Sequence, residues 1–68
     1  MEKIKISGEF IKLDSLLKFS GLCETGGHAK MEILYGNVSV NGEVCTQRGK
    51  KIHVGDTVSF NGNEIVIE

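Results

Sequence analysis

The sequence predicts an α+β fold in which two short helices pack on a small antiparallel sheet. Three observations predict it. Apolar residues recur at helical spacing in two segments before Gly36. The period changes to two after it. Two Asn-Gly pairs, Asn41-Gly42 and Asn61-Gly62, fall among the alternating residues as hairpin turns. Helices followed by a run of strands is the order of an α+β layer structure. With 68 residues the chain is read as one domain, 1–68, with a limited core.

Taken in order, Lys3-Ile4-Lys5-Ile6-Ser7 alternates as a half-buried strand, and Gly8 ends it. Residues 9–12 read as a link. Leu13, Leu16, Leu17 and Ser20 share one helical face, with Asp14 in the first turn and Gly21 as the stop, so a helix is expected over about residues 13–20. Leu22, Cys23 and Glu24 connect to a second helix that begins at Thr25 and ends at Gly36. Ala29 and Ile33 share its inner face, with Lys30 and Leu34 beside them. Met31 and Tyr35, at i, i+4 spacing, are expected in the core or at its edge. Val38 and Val40 then alternate with polar residues, and Glu43-Val44-Cys45 returns antiparallel after the Asn41-Gly42 turn. Ile52 and Val54 resume an apolar pattern, Gly55-Asp56 turns, and Val58 with Phe60 marks a further strand. The closing strand carries Ile65 and Ile67 inward. The sequence shows no linker, repeat or low-complexity segment.

Composition excludes several classes. No run of 18 apolar residues is present, so no membrane span is expected, and the N-terminus lacks the apolar core of a signal peptide. A cytoplasmic setting is the default. Cys23 and Cys45 make no disulfide framework and are read as free thiols. Cys23, His28, Cys45 and His53 lack the close ligand pairs of a structural zinc site, so no metal or cofactor is expected. His28 and His53 have no evident nucleophile or paired carboxylate beside them, and a chain this short leaves little room for a substrate pocket, so no enzyme is expected.

Charge is informative once divided. The chain carries eight basic and nine acidic side chains, for a net −1. Residues 45–53 hold Arg48, Lys50 and Lys51 with no acid, so an acidic body presents one basic loop with His53 at its edge. Clustered positive charge is an electrostatic footprint for phosphate, although a solvated loop that keeps a protein soluble has the same composition.

The second feature is Thr25-Gly26-Gly27-His28-Ala29-Lys30. Thr25 is a good N-cap. Glycine costs roughly 1 kcal/mol against alanine within a helix, so two in a first turn need a reason. Either glycine relieves crowding at a loop-to-helix junction, or it leaves the N–H groups of a helix start open to an anion.

These residues also carry a resemblance. Leu13-Asp14, Leu17, Gly21, the Thr25–Lys30 stretch, Ile33, Gly36, Val38, Val40-Asn41-Gly42, Val54-Gly55-Asp56 and Val58 resemble the RNA-binding domain named after the small-subunit ribosomal protein S-four, the αL motif. The resemblance covers residues 12–60. The usual family helix start is Ser-Arg followed by a polar residue. Thr25-Gly26-Gly27 departs from that, removes a cation, and is similar instead to the small stand-alone YaaA/YbcJ-like branch, as are Lys30 and Arg48-Gly49-Lys50-Lys51. The resemblance implies a non-catalytic, monomeric module for structured RNA, ribosomal or transfer, with ribosome assembly or translation as its setting. It places the second helix start and the basic loop on one face. It implies RNA contacts at Thr25, Gly26, Gly27, His28, Lys30, Arg48, Lys50 and Lys51. Two other classes share some of these features. One is a protein-interaction module whose basic loop docks on an acidic partner. The other is a degenerate sulfur-carrier-like protein, but Ile65-Val66-Ile67-Glu68 lacks the Gly-Gly tail such carriers need.

Overall fold

The leucine triad of the first helix decides where the core lies. The computed structural model describes residues 2–68. In it α1 (Leu13–Phe19) buries Leu13, Leu16 and Leu17 completely, and α2 (Gly26–Leu34) buries Ala29 and Ile33 against them. The same cluster takes Val38, Val40, Val58, Phe60, Ile65 and Ile67 from the sheet, so helices and sheet share one core. Ser20, the polar member of the α1 face, turns its hydroxyl back to donate to the Leu17 carbonyl at 3.0 Å. Gly21 and Gly36 follow the two helices with φ of +82° and +81°, the left-handed conformation that stops a helix.

The strands are β1 (Glu2–Ile4), β2 (Phe10–Lys12), β3 (Val38–Val40), β4 (Glu43–Val44), β5 (Lys51–His53), β6 (Thr57–Phe60) and β7 (Asn63–Ile67). Five of them form a sheet in the order β1-β7-β6-β3-β4, and β2 and β5 form a separate two-stranded ribbon. Both Asn-Gly pairs make the expected hairpins, with Asn41 at φ 52° and Gly42 at 86°, the left-handed pair that matches strand twist.

The structure departs from the sequence reading at five places. The sheet is mixed, because β1 lies parallel to β7 while all other pairs are antiparallel. The first strand is shorter than its alternation and stops at Ile4. Beyond Ile4, the Ile6 N–H still donates to the Glu68 carbonyl at 3.2 Å. The link at 9–12 contains β2, paired antiparallel with β5 in the register Phe10↔His53, Ile11↔Ile52, Lys12↔Lys51. Finally, Met31 and Tyr35 are not core. They are 44% and 68% exposed. The helix is covered along the Ala29–Ile33 stripe, and the flank carrying Met31, Leu34 and Tyr35 stays exposed. Val54, read with Ile52 as a resumed apolar pattern, is also exposed, because β5 ends at His53 and the chain turns at Gly55 with φ +95°.

Asp56 ties these turns together. Its carboxylate accepts the His53 N–H at 2.8 Å and the Asn41 side-chain amide at 3.0 Å. Asn41 in turn accepts the Thr57 N–H at 2.9 Å on its own amide oxygen. The β3–β4 hairpin tip is thereby locked to the β5–β6 turn, and the Ile67 N–H adds β7 by donating to the Asp56 carbonyl at 3.0 Å. The His53 N–H, then the Asn41 amide, hold the Asp56 carboxyl below its ordinary pKa.

Asp56→Asn is therefore expected to cost about 1.5–3 kcal/mol at neutral pH, the range for hydrogen bonds to a charged group. Because folding lowers the pKa, this contribution is complete above the ordinary aspartate value of 3.8 and drains away as pH falls through the folded value. Thermal melts followed by circular dichroism into the acid range should show wild type losing stability there and Asp56→Asn lacking that part of the loss. Parallel acid limbs for the two proteins would assign the dependence to another carboxylate.

Candidate nucleic-acid interface

The start of α2 has the geometry its sequence suggests. Thr25 is the N-cap in extended conformation, and its hydroxyl accepts the His28 N–H at 3.0 Å. The first intrahelical bond runs from the Ala29 N–H to the Thr25 carbonyl. Among the described residues, the N–H groups of Gly26 and Gly27 have no partner. Both glycines, His28 and Lys30 are exposed, while Ala29 between them is buried.

Crowding does not explain the glycines. A Cβ at Gly26 would meet nothing within 4 Å, and one at Gly27 only the Thr25 hydroxyl at 3.8 Å. Neither has a positive φ. An alanine fits both positions, so the fold gives up helix stability there and gains an uncovered backbone surface.

The basic loop owes its position to a different helix. Lys12, the N-cap residue of α1, offers no side-chain cap. Two of the donors it leaves open go to the loop instead. Leu13 N–H donates to the Lys50 carbonyl at 2.9 Å and Asp14 N–H to the Arg48 carbonyl at 3.1 Å. The loop closes on itself through a Lys50 N–H to Gln47 carbonyl bond at 3.1 Å. Its backbone thus faces the helix, while Arg48, Lys50 and Lys51 are all exposed. None of the three is in an ion pair among the described residues, although Lys50 lies near enough to Asp56 to help hold its carboxyl ionised. Lys3, by contrast, reaches Glu68 at 3.9 Å.

The anchored loop hangs on α1, and α1 packs on α2, so α1 is the element between the two candidate features. Sequence reasoning missed two neighbours of the loop. Phe10 and Lys12 lie on β2 opposite His53 and Lys51 of β5. Neither has a local signal, since only the pairing register brings them there.

A helix pair on a mixed sheet, with a cationic loop fastened to the start of the first helix, defines a small α+β domain built to present surface. The chain belongs to the S4 domain family, whose profile matches residues 4–68. It is 42% identical over 57 residues to the Escherichia coli (strain K12) protein named "Putative RNA-binding protein YbcJ", spanning 84% of this chain and 81% of that one. It is 39% identical over 59 residues to the Bacillus subtilis (strain 168) protein named "Probable ribosome maturation protein RlbA", spanning 87% and 83%. The solution structure of E. coli YbcJ, described as revealing an αL motif involved in RNA binding, matches with a TM-score of 0.75 at 37% identity. That match covers 98% of this chain and 86% of that one.

Gly26→Ala and Gly27→Ala are each expected to raise stability, by a few tenths to about 1 kcal/mol. Chemical denaturation at equilibrium measures this. A loss of stability would mean that the glycines serve the fold after all.

Proposed function

We propose that residues 1–68 form a single, monomeric, cytoplasmic RNA-binding domain without catalytic activity, which recognises structured RNA through its phosphates. One observation carries this reading. Two backbone bonds fasten the Arg48–Lys51 loop to α1 and leave its cations exposed and, among the described residues, outside any ion pair. Pinning the loop limits the ordering entropy that binding costs. The names of the relatives supply the class of ligand, RNA, and the ribosome as its setting.

In this reading Arg48 forks onto phosphate or stacks on a base, and Lys50 and Lys51 act as mobile point charges. The open N–H groups of Gly26 and Gly27, just past the Thr25 cap and beside His28, take a further phosphate at the helix start, where the dipole favours negative charge. Lys30, one turn on, reaches the same strand. Contacts of this kind position an RNA without reading its sequence, so recognition rests on the shape of ribosomal or transfer RNA.

Charge reversal tests the loop directly. The Arg48→Glu, Lys50→Glu, Lys51→Glu triple variant should lose most of its affinity for ribosomal RNA fragments in filter binding. The slope of log affinity against log salt should flatten by about 0.7–0.9 per phosphate contact removed. Lys3→Glu, at a cation engaged by Glu68, should bind nearly as wild type. Equal losses from the two would mean diffuse attraction and no localised site. Gly27→Glu separates folding from binding at the helix start. A first-turn glutamate suits the dipole and has room, so the variant should fold at least as stably and bind RNA less well. Unchanged affinity would remove the helix start from the interface.

A further inference from the structure

The ribbon of β2 and β5 has an inner and an outer face. Directly opposed residues of an antiparallel pair point the same way, and the direction alternates along each strand. Ile11 and Ile52 therefore share one face, and Ile52 is fully buried. Phe10, Lys12, Lys51 and His53 share the other.

That outer face has features that neither the core nor the anchoring of the loop requires. Lys12 and Lys51 stand directly opposite each other, an arrangement that is destabilising in a sheet. Neither is in an ion pair among the described residues. The acid that touches this face, Asp56 near His53, already holds the His53 N–H and the Asn41 amide. Without a carboxylate, the Lys51 ammonium lies over the Phe10 ring, 4.9 Å from its centroid. His53 leans on the same ring, with centroids 6.1 Å apart and planes tilted by 52°. Phe10 remains 38% exposed. It also borders an open depression of about 440 Å³ lined by Lys5, Ile6, Ser7, Ile11 and Phe19, which includes none of Lys12, Lys51 and His53. Lys51 belongs both to this face and to the basic loop, so the two surfaces are continuous.

We infer that this face takes one unpaired nucleobase of the bound RNA, stacked on the exposed Phe10 ring, with the adjoining phosphate clasped between Lys12 and Lys51. The inference rests on the RNA-binding reading above and narrows it, because a base inside a duplex has no free face to offer. The preferred RNA then pairs a stem with an adjacent loop or bulge, the usual place for aromatic stacking. The flexible stem of Lys51 lets its ammonium leave the ring as the base arrives and carry its charge to the phosphate.

The test uses the full chain and two RNAs: a stem bearing an unpaired uridine-rich loop, and the same stem as a blunt duplex. Wild type should bind the looped RNA more tightly, and ultraviolet irradiation should crosslink uridine to a peptide containing Phe10. Phe10→Leu, which keeps an apolar side chain of similar size but removes the stacking face, should lose tenfold or more on the looped RNA and nothing on the duplex. Phe10→Tyr should restore the preference. Wild-type affinity of Phe10→Leu for the looped RNA, together with crosslinks elsewhere, would overturn this proposal while leaving the phosphate-binding reading intact. Failure of wild type to bind either RNA would overturn both.

Discussion

An α-helix that begins without a side-chain cap must find its acceptors elsewhere, and this requirement at α1 organises the molecule. Lys12 has no oxygen to offer, so the Leu13 and Asp14 N–H groups turn to the carbonyls of Lys50 and Arg48. The bonds join residues about half the chain apart. They bring the loop to the helix pair, and the β2–β5 pairing immediately beside them fixes its register. Three functions that a small domain usually spreads over separate contacts coincide here: capping a helix, ordering a loop, and closing the sheet side against the helices. The loop can carry uncompensated charge because main-chain groups, which are indifferent to the side chains they carry, hold it in place.

How much of this was legible in the sequence follows from the range of each interaction. The leucine spacing of α1, the Thr25 cap and the Asn41-Gly42 and Asn61-Gly62 hairpins are all local, and each element appears where its residues place it. Pairings across long separations were invisible. Phe10-Ile11-Lys12 is too short to show a period, and its strand character comes from a partner about forty residues on. Nothing in Ile4-Lys5-Ile6 announces a parallel neighbour. The Asn41–Asp56 bond was hidden differently: each residue reads correctly as part of its own turn, and only the fold makes the turns hold each other. Met31 and Tyr35 misled because helical spacing shows which residues share a face but not whether anything covers it.

The candidate site divides along the same line. Thr25, Gly26, Gly27, His28, Lys30, Arg48, Lys50 and Lys51 stand out by composition, since two glycines in a helical turn and three cations in four residues are conspicuous without a structure. Phe10 and Lys12 are ordinary residues in an ordinary stretch. They gain meaning from the residues set opposite them, His53 and Lys51, and register is the last thing a single sequence discloses. The glycines show the converse. The sequence raised two explanations for them, and the empty space around Gly26 decides against crowding.

The sheet order has a consequence for how the chain reaches this state. β7 comes last along the domain, yet it lies inside the sheet, between β1 and β6. Ile65 and Ile67, both buried, fill the core from that interior position. A growing chain that has produced the helices and β6 still has two open strand edges and a gap between them, and β1 has no partner at all. Local pieces such as the β3–β4 hairpin form early, but the β1–β7 and β7–β6 pairings wait for residues 63–67. Folding is thus gated by the arrival of one short segment. Until then the exposed edges of β1 and β6 are the domain's most vulnerable surface for mispairing with another chain.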